Sequence, residues 1–153
     1  MPVLLNDLQD KNEQPDFILI DGDHSAEAVK RNIENILKLK ITKCLVVLMH
    51  DSFNPTCRKG MLDVDYTINN NVEKIEIDFV QGIFSPSATT KGEMWGGFGL
   101  IYLNPETNNN KPEIEQSNSF SYYNTFLLSK HYHSTQSSFL GRIKSYFFRK
   151  LTS

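Results

Sequence analysis

Residues 17–24 read FILIDGDH, in which four apolar residues lead directly into two acids separated by a glycine and followed by a histidine. A short apolar run after Pro15 is typical of a strand buried on both faces. A second run of this kind, KCLVVLM at 43–49, leads into HDS at 50–52. Ligands of open α/β sheets bind beyond the carboxyl ends of the strands, so both charged clusters stand where a site is expected.

Helical patterns alternate with these strands and predict an α/β fold with a largely parallel sheet. A helix is predicted over 25–39, where apolar residues fall on one face and Ser25 is a suitable N-cap. A second helix is predicted from Asn54, another cap residue, to about residue 64, with proline at its first position.

Two further strands follow. In 72–80 the apolar residues Ile75, Ile77 and Phe79 alternate with charged residues, which predicts a half-exposed strand. The run at 97–103 is mostly apolar and predicts another. The intervening loop is long enough to be a functional flap or a flexible connection.

Bulk composition excludes several classes of protein. The chain has 153 residues, a single-domain length, and a net charge of -2, which gives no reason to expect nucleic-acid binding. Two cysteines do not make a disulfide framework and favour a reducing, cytoplasmic location. The first residues lack the basic and apolar regions of a signal peptide. No apolar run approaches the roughly 20 residues of a transmembrane helix.

The composition changes after residue 104, so we divide the chain into a sheet domain at 1–104, a linker at 105–120 and a tail at 121–153. The linker is polar and repetitive and is expected to be disordered. The tail contains an amphipathic pattern, with Phe139, Leu140, Ile143, Phe147 and Leu151 near one helical stripe. Docking of this tail on its own domain or a partner is favoured over a membrane-surface helix.

The two charged clusters predict a cation site. One helix joins the first two strands, so we expect the strands to be neighbours with ends about 4.8 Å apart. Carboxylates at that range repel unless a cation or proton lies between them. Oxygen ligands suit Mg²⁺ or Ca²⁺, and a histidine shifts the preference toward Mn²⁺, Fe²⁺ or Zn²⁺. Acids after strands also cap helices, which is our interpretation of Asp23, whereas His24 is a candidate general base.

These segments together resemble a known family. PDFILIDGDHSAEAVKRNIENIL followed by LMHDSFNPTCRKGM resembles class I S-adenosylmethionine-dependent methyltransferases, in the branch labelled cephalosporin-hydroxylase-like or methyltransferase family 24. This branch is related to metal-dependent sugar and catechol O-methyltransferases. EMWGGFGLIYL is similar to the family's closing hairpin strand, and the resemblance covers roughly residues 3–103. It implies a Rossmann-like sheet of seven strands, in which 17–20, 44–49, 72–80 and 97–103 are strands four to seven.

The resemblance also implies roles for individual residues. Asp21 stands at the position that binds Mg²⁺, and His24 stands where a base often follows three residues later. Asp51 supplies a further metal ligand, and His50 stands beside it where an acid is usual. Alternatively the register slips by one and Ser52 takes a ligand-side role. The implied reaction is metal-assisted O-methylation of a small hydroxylated acceptor, with S-adenosylmethionine as the methyl donor.

The chain departs from the family in one large respect. No glycine-rich cofactor loop precedes the fourth strand, so the sequence corresponds to the carboxyl half of a methyltransferase, and no residue is assigned to the cofactor. The strand at 17–20 then has an open edge, which self-association or a partner chain would cover. Two alternatives stay open: a catalytically inactive remnant or interaction module, and a fragment of a glycosyltransferase with Asp21-Gly22-Asp23 as its DxD motif.

Two features outside the clusters are given structural interpretations. Arg58 and Lys59 lie on a helix expected to be exposed, and we interpret both as solvated side chains rather than contacts to an anionic acceptor. Trp95, followed by Gly96 and Gly97, is interpreted as the entry to a tight hairpin rather than part of a substrate flap.

Overall fold

The computed structural model of this chain describes residues 7, 8, 11 and 13–135. Its elements are β1 (Phe17–Ile20), α1 (Ala26–Leu37), β2 (Leu45–His50), α2 (Pro55–Leu62), a 3-10 turn (Tyr66–Ile68), β3 (Val72–Phe84), β4 (Met94–Leu103), β5 (Ile114–Glu115) and α3 (Ser119–Leu128). The five strands form one sheet in the order β1-β2-β4-β3-β5. β1 and β2 are parallel, as are β3 and β5, whereas β4 is antiparallel to both of its neighbours. The fold is therefore α/β, with a mixed sheet.

Both predicted helices are present and begin at the predicted caps. The hydroxyl of Ser25 accepts a hydrogen bond from the backbone N–H of Ala28 at 3.3 Å. The side-chain oxygen of Asn54 accepts from the N–H groups of Thr56 and Cys57, at 2.9 and 3.3 Å. These bonds satisfy backbone donors that have no partner within the helix, which is why both helices begin where they do.

The two helices cover one face of the sheet and pack closely together. Their buried residues form a single cluster with alternate residues of the strands, which include Val47, Met49, Ile75 and Ile101. Gly60 permits the close contact, because a Cβ at this position would lie 2.5 Å from the carbonyl oxygen of Ala26.

The apolar sequence of β1 predicts burial on both faces, but only one face of this strand is buried. Ile20 is buried in the core, but Phe17 is 54% and Leu19 is 48% exposed. Successive side chains of a strand point to opposite faces. The helices pack on the face of Ile18 and Ile20, which leaves the opposite face of β1 open. Among the described strands β1 pairs only with β2, so its other edge is open as well.

β3 departs from the alternation predicted for it. Ile75 and Ile77 are buried as expected, but Asp78 is 1% exposed whereas Phe79 is 51% exposed. The pairing of β3 with β4 is irregular between Glu76 and Val80, which changes the face that each side chain takes. β3 extends beyond the predicted 72–80 and ends at Phe84, and β4 already begins at Met94. The segment at 81–97, which was expected to be a loop, is therefore part of a β3–β4 hairpin.

The hairpin places Trp95 within β4 rather than in a flexible loop. Trp95 pairs with Ile83 across the two strands, and the turn is closed by a hydrogen bond from the N–H of Ser85 to the carbonyl oxygen of Glu93 at 2.8 Å. Gly96 and Gly97 follow with positive φ angles of 67° and 76°. These residues therefore belong to a hairpin, but the nine residues at 85–93 that join its strands do not make the tight turn that was predicted, and both glycines lie within β4.

The segment at 105–120, expected to be a disordered linker, lies against β3 in the structure. The side-chain amide of Asn71 donates to the carbonyl oxygens of Pro105 and Thr107, at 3.2 and 2.9 Å. β5 then adds to the sheet beside β3. This segment is held by hydrogen bonds between polar side chains and the backbone, and a low apolar content does not indicate such bonds.

Three further predictions concern the tail, membranes and cysteines. α3 begins at Ser119, two residues before the predicted start of the tail, and runs into it; the amphipathic stripe at 139–151 is outside the described residues. None of the described helices is both long and apolar enough to cross a membrane. Cys44 and Cys57 are both free thiols.

Candidate metal centre

The two charged clusters lie side by side beyond the carboxyl ends of β1 and β2, as predicted. β1 and β2 are parallel and in register, with Ile20 opposite Met49, so the residues that follow them emerge side by side. His50 is the last residue of β2 and Asp51 comes directly after it. Asp21 follows β1 in the same way. Together with His24, these residues make up the four predicted site residues, and all four lie in one place.

The distances within this cluster are short. His50 Nδ1 lies 3.0 Å from Asp51 Oδ2 and 3.3 Å from Asp21 Oδ1. His24 Nε2 also lies 3.0 Å from Asp51 Oδ2, and it is 4.0 Å from Asp21 Oδ1. One oxygen of Asp51 therefore faces both imidazoles, and Asp21 closes the group from the β1 side.

One nitrogen in the cluster has no hydrogen-bond partner among the described residues. His50 Nδ1 is a buried atom, yet it bonds neither carboxylate, although both lie within hydrogen-bonding distance. Its ring packs against Phe98, with centroids 5.0 Å apart. A buried polar atom without a partner is costly unless a water or an ion meets it. Ligand atoms of Asp21, His50 and Asp51 all lie within 4.8 Å of one another, an arrangement that can hold a metal ion.

Asp51 is fixed by its backbone and by β4. It is 3% exposed and has a φ of 59°, a left-handed conformation that aspartate tolerates better than most residues. Its Oδ1 accepts a hydrogen bond from the N–H of Gly96 at 2.7 Å, and the N–H of Phe53 donates to the carbonyl oxygen of Gly96 at 3.1 Å. One carboxylate oxygen is thus held by β4, and the other is left for the histidines.

His24 lies at the open side of the cluster. Its side chain is half-exposed, and its ring meets Trp95 edge to face with centroids 5.3 Å apart. Its carbonyl oxygen accepts a weak hydrogen bond from the thiol of Cys57 at 3.6 Å. Burial raises the pKa of that thiol to about 12.

Asp23 and Ser52 are directed elsewhere. The N–H of Ser25 donates to Asp23 Oδ1 at 2.8 Å, and hydrogen bonding to Ser25 lowers the pKa of this carboxyl group. Asp23 thus serves the start of α1. Ser52 is fully buried, and within the described part of the chain its hydroxyl has no hydrogen-bond partner. This hydroxyl lies close to Gly97, where an added Cβ would be 3.0 Å from it.

Two contributors to the site were not identified from the sequence. Trp95 was interpreted only as a hairpin residue, but its ring also contacts His24. Gly96 was part of the same interpretation, and it proves to donate to Asp51. Both contacts join segments about 45 to 70 residues apart, and the one local signal for them is the Trp-Gly-Gly sequence at the start of a strand.

Comparison of the chain with protein-family models, with curated proteins and with solved structures found no match.

Proposed function

We propose that Asp21, His50 and Asp51 form a divalent-cation site that serves a metal-assisted O-methyltransferase acting on a small hydroxylated acceptor. The observation that carries this proposal is the buried His50 Nδ1, which lies between two carboxylates and has no hydrogen bond to any residue that the structure describes. If both carboxylates are ionised, a divalent cation would neutralise them and give this nitrogen a partner. The residues present therefore fit a metal ion.

The metal would be Mg²⁺ by resemblance, whereas the imidazole ligand favours Mn²⁺. Such a cation orients a hydroxyl group and lowers its pKa. His24 is the base in this proposal, because imidazole exchanges protons near neutral pH and its half-exposed ring can meet an acceptor. Asp51 Oδ2, 3.0 Å from His24 Nε2, orients that ring.

Methyl transfer rests on the resemblance and on two features that support it. The segment likened to a closing hairpin strand does form β4 of a hairpin with β3. The two clusters likened to the metal ligands do meet beyond neighbouring parallel strands. S-adenosylmethionine is proposed to bind polypeptide that pairs with the open edge of β1, since no residue of this chain is assigned to it.

The alternative of a DxD-type glycosyltransferase is less well supported. Of the two acids of that motif, only Asp21 belongs to the group of possible ligands, since Asp23 accepts a hydrogen bond from the N–H of Ser25 and lies outside it. The alternative of an inactive remnant concerns the reaction rather than the cation site, and cofactor binding distinguishes it.

Titration with Mn²⁺, followed by the EPR signal of the free ion, tests the cation site. We expect the wild-type chain to bind one Mn²⁺, and Asp21→Asn to weaken binding by about tenfold or more because it removes a charged ligand. Asp23→Asn is the matched control, since it removes the same charge from the same loop and keeps an oxygen for Ser25. Equal weakening by both variants, or no wild-type binding, would contradict the site.

Calorimetric titration with S-adenosylmethionine, in the presence of Mn²⁺, tests the reaction. Binding by the chain alone would show that it holds the cofactor without a partner. No binding up to about millimolar concentration, where the binding free energy is only about 4 kcal/mol, would exclude catalysis by this chain alone. Binding of UDP in its place would favour the glycosyltransferase.

A further inference from the structure

Arg58 was expected to be solvated, but it is among the most buried charged residues that the structure describes. It lies on α2, four residues after the cap Asn54, and is 3% exposed, whereas its neighbour Lys59 is exposed. A buried guanidinium is retained only where several acceptors satisfy it. The groups that do so here connect α2 with three other parts of the chain.

The first connection is with β3. Arg58 Nη1 donates to Asp78 Oδ1 at 2.6 Å, and Asp78 is itself 1% exposed. The second oxygen of Asp78 accepts from the backbone N–H of Asn118 at 3.2 Å. Both oxygens of this buried carboxylate are therefore satisfied, and the pair has the hydrogen bonding that a buried ion pair needs.

The second connection is with the segment that leads into α3. Arg58 Nη2 donates to the side-chain oxygen of Gln116 at 2.9 Å, and the guanidinium lies 4.0 Å from the centre of the Tyr122 ring. The Tyr122 ring also meets Phe53 edge to face, with centroids 5.4 Å apart. Because Phe53 lies in the turn between β2 and α2, Tyr122 packs against that turn.

The third connection is with that turn itself. Arg58 Nη1 lies 3.4 Å from the carbonyl oxygen of Ser52, which it meets as a donor. Ser52 follows Asp51, whose left-handed backbone sets the direction of the carboxylate in the cation site. Arg58 thus binds the backbone of Ser52, the residue after Asp51, whereas Gly96 of β4 binds the Asp51 carboxylate.

We propose that Arg58 is a positioning residue of the cation site, which fixes the turn at 51–54 so that Asp51 and His50 face Asp21. The inference rests on the proposed cation site. Arg58 is not among the groups that could hold the ion; it acts through the backbone of Ser52 and through its pair with Asp78. Outer-shell contacts of this kind set the orientation of metal ligands.

Positioning and simple electrostatics predict opposite results when Arg58 is replaced. Arg58 is a positive charge close to a site for a cation, so its removal would tighten binding if charge alone mattered. If Arg58 positions the turn, its removal weakens binding. A variant in which both Arg58 and Asp78 are replaced leaves no uncompensated charge in the core, and its local net charge is the same as in the wild type.

The experiment is a Mn²⁺ titration of folded variants, with circular dichroism as the check on folding. In Arg58→Met/Asp78→Asn we expect affinity to fall by about tenfold to hundredfold, with an altered EPR line shape of the bound ion. Arg58→Lys keeps the charge but not the fork of donors, and we expect weakening by about threefold or more. Lys59→Met is the matched control; this exposed side chain pairs with Asp63 on the same helix, and we expect affinity within about twofold of wild type.

The outcomes separate this inference from the proposed function. No Mn²⁺ binding by the wild-type chain overturns both. Wild-type binding together with unchanged or tighter binding in the double variant overturns the role of Arg58 alone. If the double variant does not fold, wild-type affinity and line shape in folded Arg58→Lys overturn it instead.

Discussion

The backbone N–H of Gly96 donates to Asp51 Oδ1 at 2.7 Å, so a residue of β4 fixes a carboxylate that follows β2. This bond separates the structural role of Asp51 from its proposed role as a ligand. An asparagine at this position keeps an oxygen for Gly96 and tolerates the φ of 59° equally well. An alanine keeps neither property.

We therefore expect Asp51→Asn to fold as stably as the wild type without metal, and Asp51→Ala to lose about 1–3 kcal/mol from backbone strain and the lost hydrogen bond. Urea unfolding in EDTA measures both. Added Mn²⁺ should stabilise the wild type by about 2.7 kcal/mol at a hundred times its Kd, and neither variant. Stabilisation of Asp51→Asn by Mn²⁺ to the wild-type extent would contradict the assignment of Asp51 as a ligand.

Gly60→Ala tests the close contact between α1 and α2. Alanine favours a helix over glycine by about 1 kcal/mol, so the local effect is stabilising. The added Cβ would lie 2.5 Å from the carbonyl oxygen of Ala26 and 2.8 Å from the Cβ of Val29, so the helices must move apart. Overpacking of this kind costs about 1–3 kcal/mol, and we expect a net loss of stability in urea unfolding.

Gly22→Ala is the control for that prediction. A Cβ at Gly22 would meet no atom of the described residues within 4 Å, and the position has no positive φ, so we expect a neutral or slightly stabilising effect. If Gly60→Ala were as stable as Gly22→Ala, the contact between the helices would be looser than the structure places it.

Local patterns in the sequence predicted the parts of this molecule that local forces determine. The caps Ser25 and Asn54 act through backbone groups two or three residues away, and both were identified. The meeting of Asp21 with Asp51 followed from one rule, that parallel strands joined by one helix end side by side.

The Arg58–Asp78 pair could not be predicted in this way. The two residues are 20 positions apart, and the alternation of β3 assigned Asp78 to the exposed face. A charged residue is placed outside by any hydrophobic pattern, so the pattern cannot detect a buried pair. The open face of β1 was missed for a related reason: an apolar run does not show which neighbours cover it.

Leu19→Lys tests whether the open edge of β1 drives self-association. An apolar edge strand with free backbone groups pairs readily with another chain, and a lysine on the edge opposes that pairing. We expect the wild-type chain to associate with rising concentration in sedimentation velocity, and Leu19→Lys to shift it toward the monomer. Phe79→Lys is the control, since Phe79 is similarly exposed on β3. Equal effects of both variants would assign the association to general hydrophobicity rather than to β1.

His131 connects the segment after α3 with the β3–β4 hairpin, and its contact depends on pH. Its Nε2 accepts a hydrogen bond from the N–H of Met94 at 3.1 Å, which requires the neutral ring. Burial lowers the pKa of His131 from its ordinary value of 6.5, although the nearby Glu93 opposes the shift. Between the lowered folded pKa and 6.5, the unfolded chain binds more protons than the folded one.

The stability contributed by His131 is therefore present above pH 6.5 and is lost as the pH falls toward the lowered folded pKa. His131→Gln keeps an acceptor for Met94 and removes the titration, so we expect its urea midpoint to fall less than that of the wild type between about pH 7.5 and 5. His133→Gln, at an exposed position, should keep the wild-type dependence. Parallel curves for the wild type and His131→Gln would show that the contact with Met94 does not sense protonation.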